Sequence, residues 1–144
     1  MTRSKIMIVD DEAGIRDLLS EFLAEKGFDV TSAKDGMESL RYMKKKVFDL
    51  LITDINMPHL NGIELLKEMK TAGRKEKVVI MTGGAFDESG LGKDIPHIYF
   101  HLKKPFQLNQ FLNVVSDVLK SKRRRLKLSA TKEINRKDEK CFLN

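Results

Sequence analysis

The sequence predicts an α/β fold, a doubly wound sheet of five parallel strands with flanking helices. Three observations lead there. Short apolar runs alternate with helix-period segments from residue 1 to about 120, which is the pattern of strands joined by helical crossovers. The first, third and fourth of those runs are almost continuously apolar, as strands covered on both faces must be. And 144 residues with 41% hydrophobic content are enough for one core and too few for two ordinary domains.

Taken in order, the strand candidates are IMIV (6–9), FDVTSA (28–33), FDLLIT (48–53), KVVIMT (77–82) and HIYFHL (97–102). Between the first two, Ile15, Leu18, Leu19, Phe22 and Leu23 recur at helical spacing, and Gly27 supplies the stop. Met37, Leu40 and Met43 mark a second helix, and Ile63, Leu66 and Met69 a third that ends near Gly73. Leu108, Phe111, Leu112, Val115, Val118 and Leu119 form a final amphipathic stripe that closes the fold. The helix expected before the fifth strand falls in GGAFDESGLGKDIP, where four glycines and a proline disfavour a helix interior. A short or irregular element is expected there.

The formal charge of +6 is located in a tail. Residues 1–120 hold 18 basic and 18 acidic side chains, whereas residues 121–144 hold nine and three. Residues 1–120 therefore read as one domain and 121–144 as a basic C-terminal tail or linker, since Ile134, Phe142 and Leu143 are too sparse to fold separately. No helix-turn-helix pattern follows it, so no nucleic-acid-binding domain is expected. No apolar run reaches the roughly 20 residues of a membrane helix, and no secretory signal is evident. The one cysteine, Cys141, excludes an internal disulfide framework and fits a cytoplasmic protein. Of His59, His97 and His101, the last two stand four apart, the spacing of a zinc pair on one helix face, but they flank a strand-like IYF run rather than sharing a helix.

In an open parallel sheet the functional crevice lies at the carboxyl ends of the strands, beside the point where strand order reverses. Four strand ends deliver polar groups there: Asp10 and Asp11 after the first, Asp54 after the third, Thr82 closing the fourth, and Lys104 after the fifth. Singly, each such Asp is an ordinary helix cap or turn residue. Together, three converging carboxylates repel unless a cation joins them. Mg²⁺, or another hard divalent ion such as Mn²⁺, suits an all-oxygen set. A carboxylate beside such an ion can attack a phosphoryl donor and form an acyl phosphate, and Asp54 is the best candidate. Lys104 would supply a second cation over the phosphoryl oxygens. Thr82, backed by Gly83, could bond one of those oxygens and report its arrival.

VDDE (9–12), TDINMPHLNG (53–62), MTGG (81–84) and KKPF (103–106) together resemble the receiver domain of bacterial two-component response regulators. The likeness covers residues 5 to about 120. It implies a flavodoxin-like sheet of strand order 2-1-3-4-5, with Asp54 as phosphoacceptor in a two-component or phosphorelay system. Asp11 and Asp54 would ligate Mg²⁺ directly, Asp10 directly or through water, and Asn56 through its main-chain carbonyl. Thr82 corresponds to the switch hydroxyl. Lys104 corresponds to the family's lysine, whose bond to Pro105 is typically cis; adjacency to the proline favours it over Lys103. The resemblance also implies a sensor histidine kinase or phosphotransfer protein as donor, an unidentified downstream protein, and a monomer or phosphorylation-dependent dimer. It implies a regulatory phosphoacceptor rather than an enzyme.

Two features depart from the family. His101 stands where a Tyr or Phe usually precedes the lysine by three residues. An imidazole could serve as the switch residue, Tyr99 or Phe100 could fill the space, or His101 could be an exposed strand residue. Strict alternation would place only Tyr99 on the face of His101. The second departure is the glycine-rich segment, which could order only on phosphorylation or partner contact. The rival readings are an interaction module that no longer uses phosphate, a phosphohydrolase, and a DNA-binding protein acting through its tail. The hydrolase would commonly carry a second Asp where this chain has Asn56.

Overall fold

The computed structural model describes residues 2–57, 59–84 and 98–121. Among them the order is β1 (Lys5–Val9), α1 (Ala13–Glu25), β2 (Asp29–Ala33), α2 (Gly36–Met43), β3 (Leu50–Asp54), α3 (Gly62–Thr71), β4 (Lys77–Thr82), β5 (Ile98–Lys103) and α4 (Leu108–Lys120). All five strands pair in parallel in the order β2-β1-β3-β4-β5, as expected. The irregular helix expected within GGAFDESGLGKDIP lies outside the described residues, as do His97 and the tail beyond Ser121.

Alternation along the strands divides the apolar residues between two layers. Met7, Val9, Leu51, Val78 and Ile80 pack against Met43 of α2 and Leu65, Leu66 and Met69 of α3. Ile6, Ile8, Leu50, Ile52, Val79 and Met81 pack on the other side against Leu19 and Leu23 of α1 and Phe111 and Val115 of α4. Each such side chain removed from water contributes about 1.5–3 kcal/mol against the entropy of ordering the chain. Near-continuous apolar strands follow directly from this double coverage.

Strand β5 breaks the alternation. Val78 pairs with Ile98 but Val79 pairs with Phe100, so Tyr99 is an extra residue in the ladder. Tyr99 and Phe100 consequently both lie in the α1/α4 layer, while Ile98 lies in the other. The expectation that Tyr99 shares a face with His101 is thereby corrected. A single-residue bulge is invisible to a period-two reading.

Two helix stripes are also narrower than their spacing suggested. Leu18 and Met37 are 53% and 52% exposed, leaving Leu19, Leu23 and Met43 to meet the core. The helix ends otherwise follow local chemistry. Gly27 and Gly73 take positive φ of 96° and 71° just past α1 and α3, a conformation that costs glycine little. The start of α3 is held by a capping box, in which the Glu64 amide donates to Asn61 Oδ1 at 2.9 Å and the Asn61 amide to Glu64 Oε1 at 3.3 Å.

Candidate functional site

Strand order reverses between β1 and β3, and the crevice at their carboxyl ends collects the predicted residues. Asp10 leaves β1 fully buried, its amide held by the Ala33 carbonyl at 3.2 Å. Its Oδ1 accepts from the Glu12 amide at 2.9 Å, and its carbonyl accepts from Arg16 at 2.7 Å. The turn into α1 is thus built around this carboxylate, leaving Asp11 exposed beside it. Asp54 ends β3 rather than following it, and is 5% exposed. Its Oδ1 accepts from the amide of Asn56 at 3.2 Å. Ligand oxygens of Asp10, Asp11 and Asp54 lie within 4.8 Å of one another, so the three carboxylates can hold a metal ion.

Lys104 reaches this cluster from beyond β5. Its Nζ donates to Asp10 Oδ2 at 2.9 Å and to Asp54 Oδ2 at 3.1 Å. The Lys104–Pro105 bond is cis, and the Lys104 amide donates to the Thr82 carbonyl at 2.6 Å. Lys103, the other lysine, is exposed at the end of the strand. Burial pushes the Asp54 carboxyl above its ordinary value, and the charge of Asp10 adds to this; attraction and a hydrogen bond from Lys104 and the Asn56 amide oppose it without prevailing. For Lys104, burial works against the charged form. The hydrogen bond and charge of Asp10, with those of Asp54, outweigh it and raise the ammonium above its ordinary value. The site therefore holds a committed cation facing a carboxylate that is short of counter-charge.

Thr82 is buried at the end of β4, and its Oγ1 lies 2.6 Å from Nε2 of His101 on the adjacent strand. His101 is partly buried, so it is neither a simple exposed strand residue nor without contact to the site. Asn56 is exposed past Asp54.

The sequence reading missed why a glycine stands eight residues past Asp54. A Cβ on Gly62 would come within 2.5 Å of the Asp54 carbonyl oxygen and 2.9 Å of Ile55 Cα. Gly36 meets the same loop from α2, where a Cβ would lie 2.7 Å from the Leu60 carbonyl oxygen. The chain after Asp54 is thus wedged between the starts of two helices, and His59 turns within it at φ 68°. The spacing from Asp54 to Gly62 was the signal available in sequence.

The model of the response regulator receiver domain matches residues 6–116. The chain belongs to that family. Sporulation initiation phosphotransferase F of Bacillus subtilis is 35% identical over 120 residues, covering 83% of this chain and 96% of that protein. The DNA-binding transcriptional regulator NtrC of Escherichia coli is 31% identical over 115 residues, covering 80% of this chain but 24% of the longer protein. Among solved structures, the chemotaxis protein CheY4 of Vibrio cholerae superposes with a TM-score of 0.74 at 30% identity, covering 81% of this chain and 99% of that one. This receiver domain accordingly belongs to phosphorylation-based two-component signalling. Among the described residues, no helix is long and apolar enough to cross a membrane.

Proposed function

We propose that this receiver domain is a phosphorylation switch that takes a phosphoryl group onto Asp54 from a histidine kinase or phosphotransfer protein. The observation that carries it is the bridge from Lys104 to both Asp10 and Asp54, set beside three carboxylates that can share one ion. An Asp54 carboxylate oxygen attacks phosphorus as the bond to the donor nitrogen breaks, and the donor imidazole keeps that electron pair. Lys104 moves its bond from Asp54 Oδ2 to a phosphoryl oxygen, neutralising charge as the group transfers. Asp11, Asp54 and the carbonyl of Asn56 would hold Mg²⁺, with Asp10 direct or through water. Bound there, a hard divalent ion neutralises the phosphoryl oxygens and the crowded carboxylates. Mn²⁺ fits the same oxygen donors.

A groove of about 400 Å³ opens beside Lys104, walled by Ile15, Leu18, Pro105, Phe106 and Leu108. An apolar surface at this position suits a donor protein that must bring its phosphorylated side chain to Asp54. The exposure of Leu18 then has a use. Turnover is slow in this reading, because Asn56 offers no carboxylate to activate water. Residues 1–120 act as the switch and 121–144 as its tail.

Incubation with Mg²⁺ and a small acyl-phosphate donor, read by intact mass, tests the proposal. One acid-stable, base-labile phosphoryl group is expected, absent in Asp54→Asn. Lack of any adduct in the wild-type protein would instead leave an interaction module that no longer uses phosphate.

A further inference from the structure

Of the three carboxylates grouped at the strand ends, two are held by hydrogen bonds of their own. Asp10 accepts from the Glu12 amide and from Lys104, and Asp54 from the Asn56 amide and from Lys104. Asp11 is exposed, and among the described residues no hydrogen bond fixes its carboxylate. Its place therefore depends on the main chain to either side. The carbonyls of both flanking residues end on Arg16. Its Nη1 donates to the Asp10 carbonyl at 2.7 Å, and its amide donates to the Glu12 carbonyl at 2.9 Å. The first of these carbonyls belongs to the peptide that joins Asp10 to Asp11, so the guanidinium sets the plane from which the Asp11 side chain departs.

Helix α1 itself has no need of a cation there. Arg16 is its fourth residue, the N-cap Glu12 makes no side-chain cap, and the first turn holds no acid. A positive charge near the start of a helix opposes the helix dipole. The side chain nevertheless folds back across the turn, partly buried, to the residue that leaves β1. A local preference broken in this way calls for a reason outside the helix.

We propose that Arg16 is a positioning residue for Asp11, and that through this brace it sets the Mg²⁺ affinity of the site. Charge and geometry act here with opposite signs. As a charge alone, a guanidinium beside clustered carboxylates repels an incoming divalent ion and weakens its binding. As a brace on the Asp10–Asp11 peptide it strengthens binding, because a ligand already in place is not ordered at the expense of the ion. Geometry prevails. Arg16 is partly exposed, so solvent and salt screen its charge, whereas losing a group that orients a metal ligand typically costs about ten- to a hundredfold in affinity. The inference rests on the reading of Asp10, Asp11 and Asp54 as the metal's ligands, and adds to it the residue that keeps the least supported of them in register.

The test titrates the metal-free full chain with Mg²⁺ alone, by calorimetry, with the thermal melt of each protein in metal-free buffer as the measure of fold. Arg16→Met keeps the apolar stem and removes the donor. Its dissociation constant for Mg²⁺ is expected to rise about tenfold, although a cation has been taken away. Arg16→Lys keeps a donor and the charge, and since the side chain makes a single bond to the carbonyl it should stay within about threefold of the wild type. In an Asp11→Asn background the further change on Arg16→Met should be under about twofold, because the ligand it braces is gone. Should Arg16→Met fail to fold, Arg16→Gln reads the same prediction, its amide being too short to reach the Asp10 carbonyl. Equal or tighter Mg²⁺ binding by the folded variant overturns the proposal and leaves Arg16 acting as a charge. A tenfold loss that persists in the Asp11→Asn background overturns it too, since Arg16 would then act through another group. A wild type that takes up no Mg²⁺ ends the metal reading itself, and this inference with it.

Discussion

Thr82 Oγ1 and His101 Nε2 stand 2.6 Å apart across neighbouring strands, so a phosphoryl group on Asp54 that engaged the Thr82 hydroxyl would act on an oxygen already bonded to the imidazole. Phosphate arrival and His101 are thereby linked through one oxygen. Beryllofluoride with Mg²⁺, a phosphoryl mimic, is expected to shift the His101 Nε2 resonance in the wild type and leave it unmoved in Thr82→Val. That variant should lose about 1 kcal/mol of stability from the missing hydrogen bond. An equal shift in both proteins would sink the coupling.

Lys104 supplies counter-charge to two buried carboxylates, with side-chain exposures of 14% for the lysine and 0% and 7% for Asp10 and Asp54. Its raised ammonium value means that its stabilisation is fully present below 10.5 and is lost only as pH rises through the folded value. At neutral pH Lys104→Ala is therefore expected to cost about 2–4 kcal/mol in metal-free buffer. Mg²⁺ should bind this variant more tightly, since no ammonium competes for Asp54, while phosphorylation slows. Titration by calorimetry, alongside denaturant melts, checks both halves; unchanged stability would refute the assigned role.

Although Lys104 bridges it, Asp54 behaves in the opposite sense to a carboxylate whose ion pair outweighs its burial. Because burial raises its folded value above 3.8, its contribution is present below 3.8 and is lost as pH rises through the folded value. Asp54→Asn escapes that loss. Without metal, the variant should melt above the wild type at neutral pH, with the gap closing toward pH 3.8. Saturating Mg²⁺ should raise the wild-type Tm and reverse the order, as expected of a ligand that binds the native state alone. A metal-free wild type more stable than Asp54→Asn at neutral pH would contradict the burial argument.

Gly62→Ala places a methyl within 2.5 Å of the Asp54 carbonyl oxygen. The backbone has to give, at a cost of about 2–3 kcal/mol, and the carbonyl it displaces belongs to Asp54, the proposed phosphoacceptor. Phosphoryl uptake from a small donor should fall along with Tm. Gly73→Ala at a positive φ of 71° is the control, since nothing lies within 4 Å of its Cβ. It should lower Tm by a smaller amount without touching uptake.

Leu18→Asp separates the two substrates of the proposed reaction. Leu18 lines the groove next to Lys104 yet is 53% exposed, so a charge there leaves the core intact. Uptake from a small acyl phosphate is expected to stay within about twofold of wild type, while transfer from a phosphorylated donor protein drops by tenfold or more, the effect of losing an apolar interface anchor. Equal rates with a cognate donor would remove the groove from the docking surface.

Much of this architecture was legible in the residues. The strands announced themselves because coverage on both faces forces unbroken apolar runs, as in KVVIMT, and the site did so because Asp10, Asp54, Thr82 and Lys104 each stand at a strand end. Details governed by contact across the chain were hidden. The bulge at Tyr99 shows only in the pairing of β4 with β5. The exposure of Leu18 and Met37 depends on how far each helix sinks into its layer. Even charge distribution needed the fold, since Lys46 and Arg74 are 28 positions apart in sequence and come together through the bond from Arg74 to the Lys46 carbonyl.

The wedge of Gly36 and Gly62 against the loop after Asp54 has a consequence for variation in the site. Its depth is set by hydrogen atoms in places where a single methyl already collides with backbone oxygen. Such a dimension has no intermediate settings: the smallest substitution overshoots, so it can be kept or broken but not graded. In the proposed switch, fine adjustment of phosphate lifetime would instead fall on neighbours that project outward, and Asn56 and His59, both exposed on that loop, are residues with room to change.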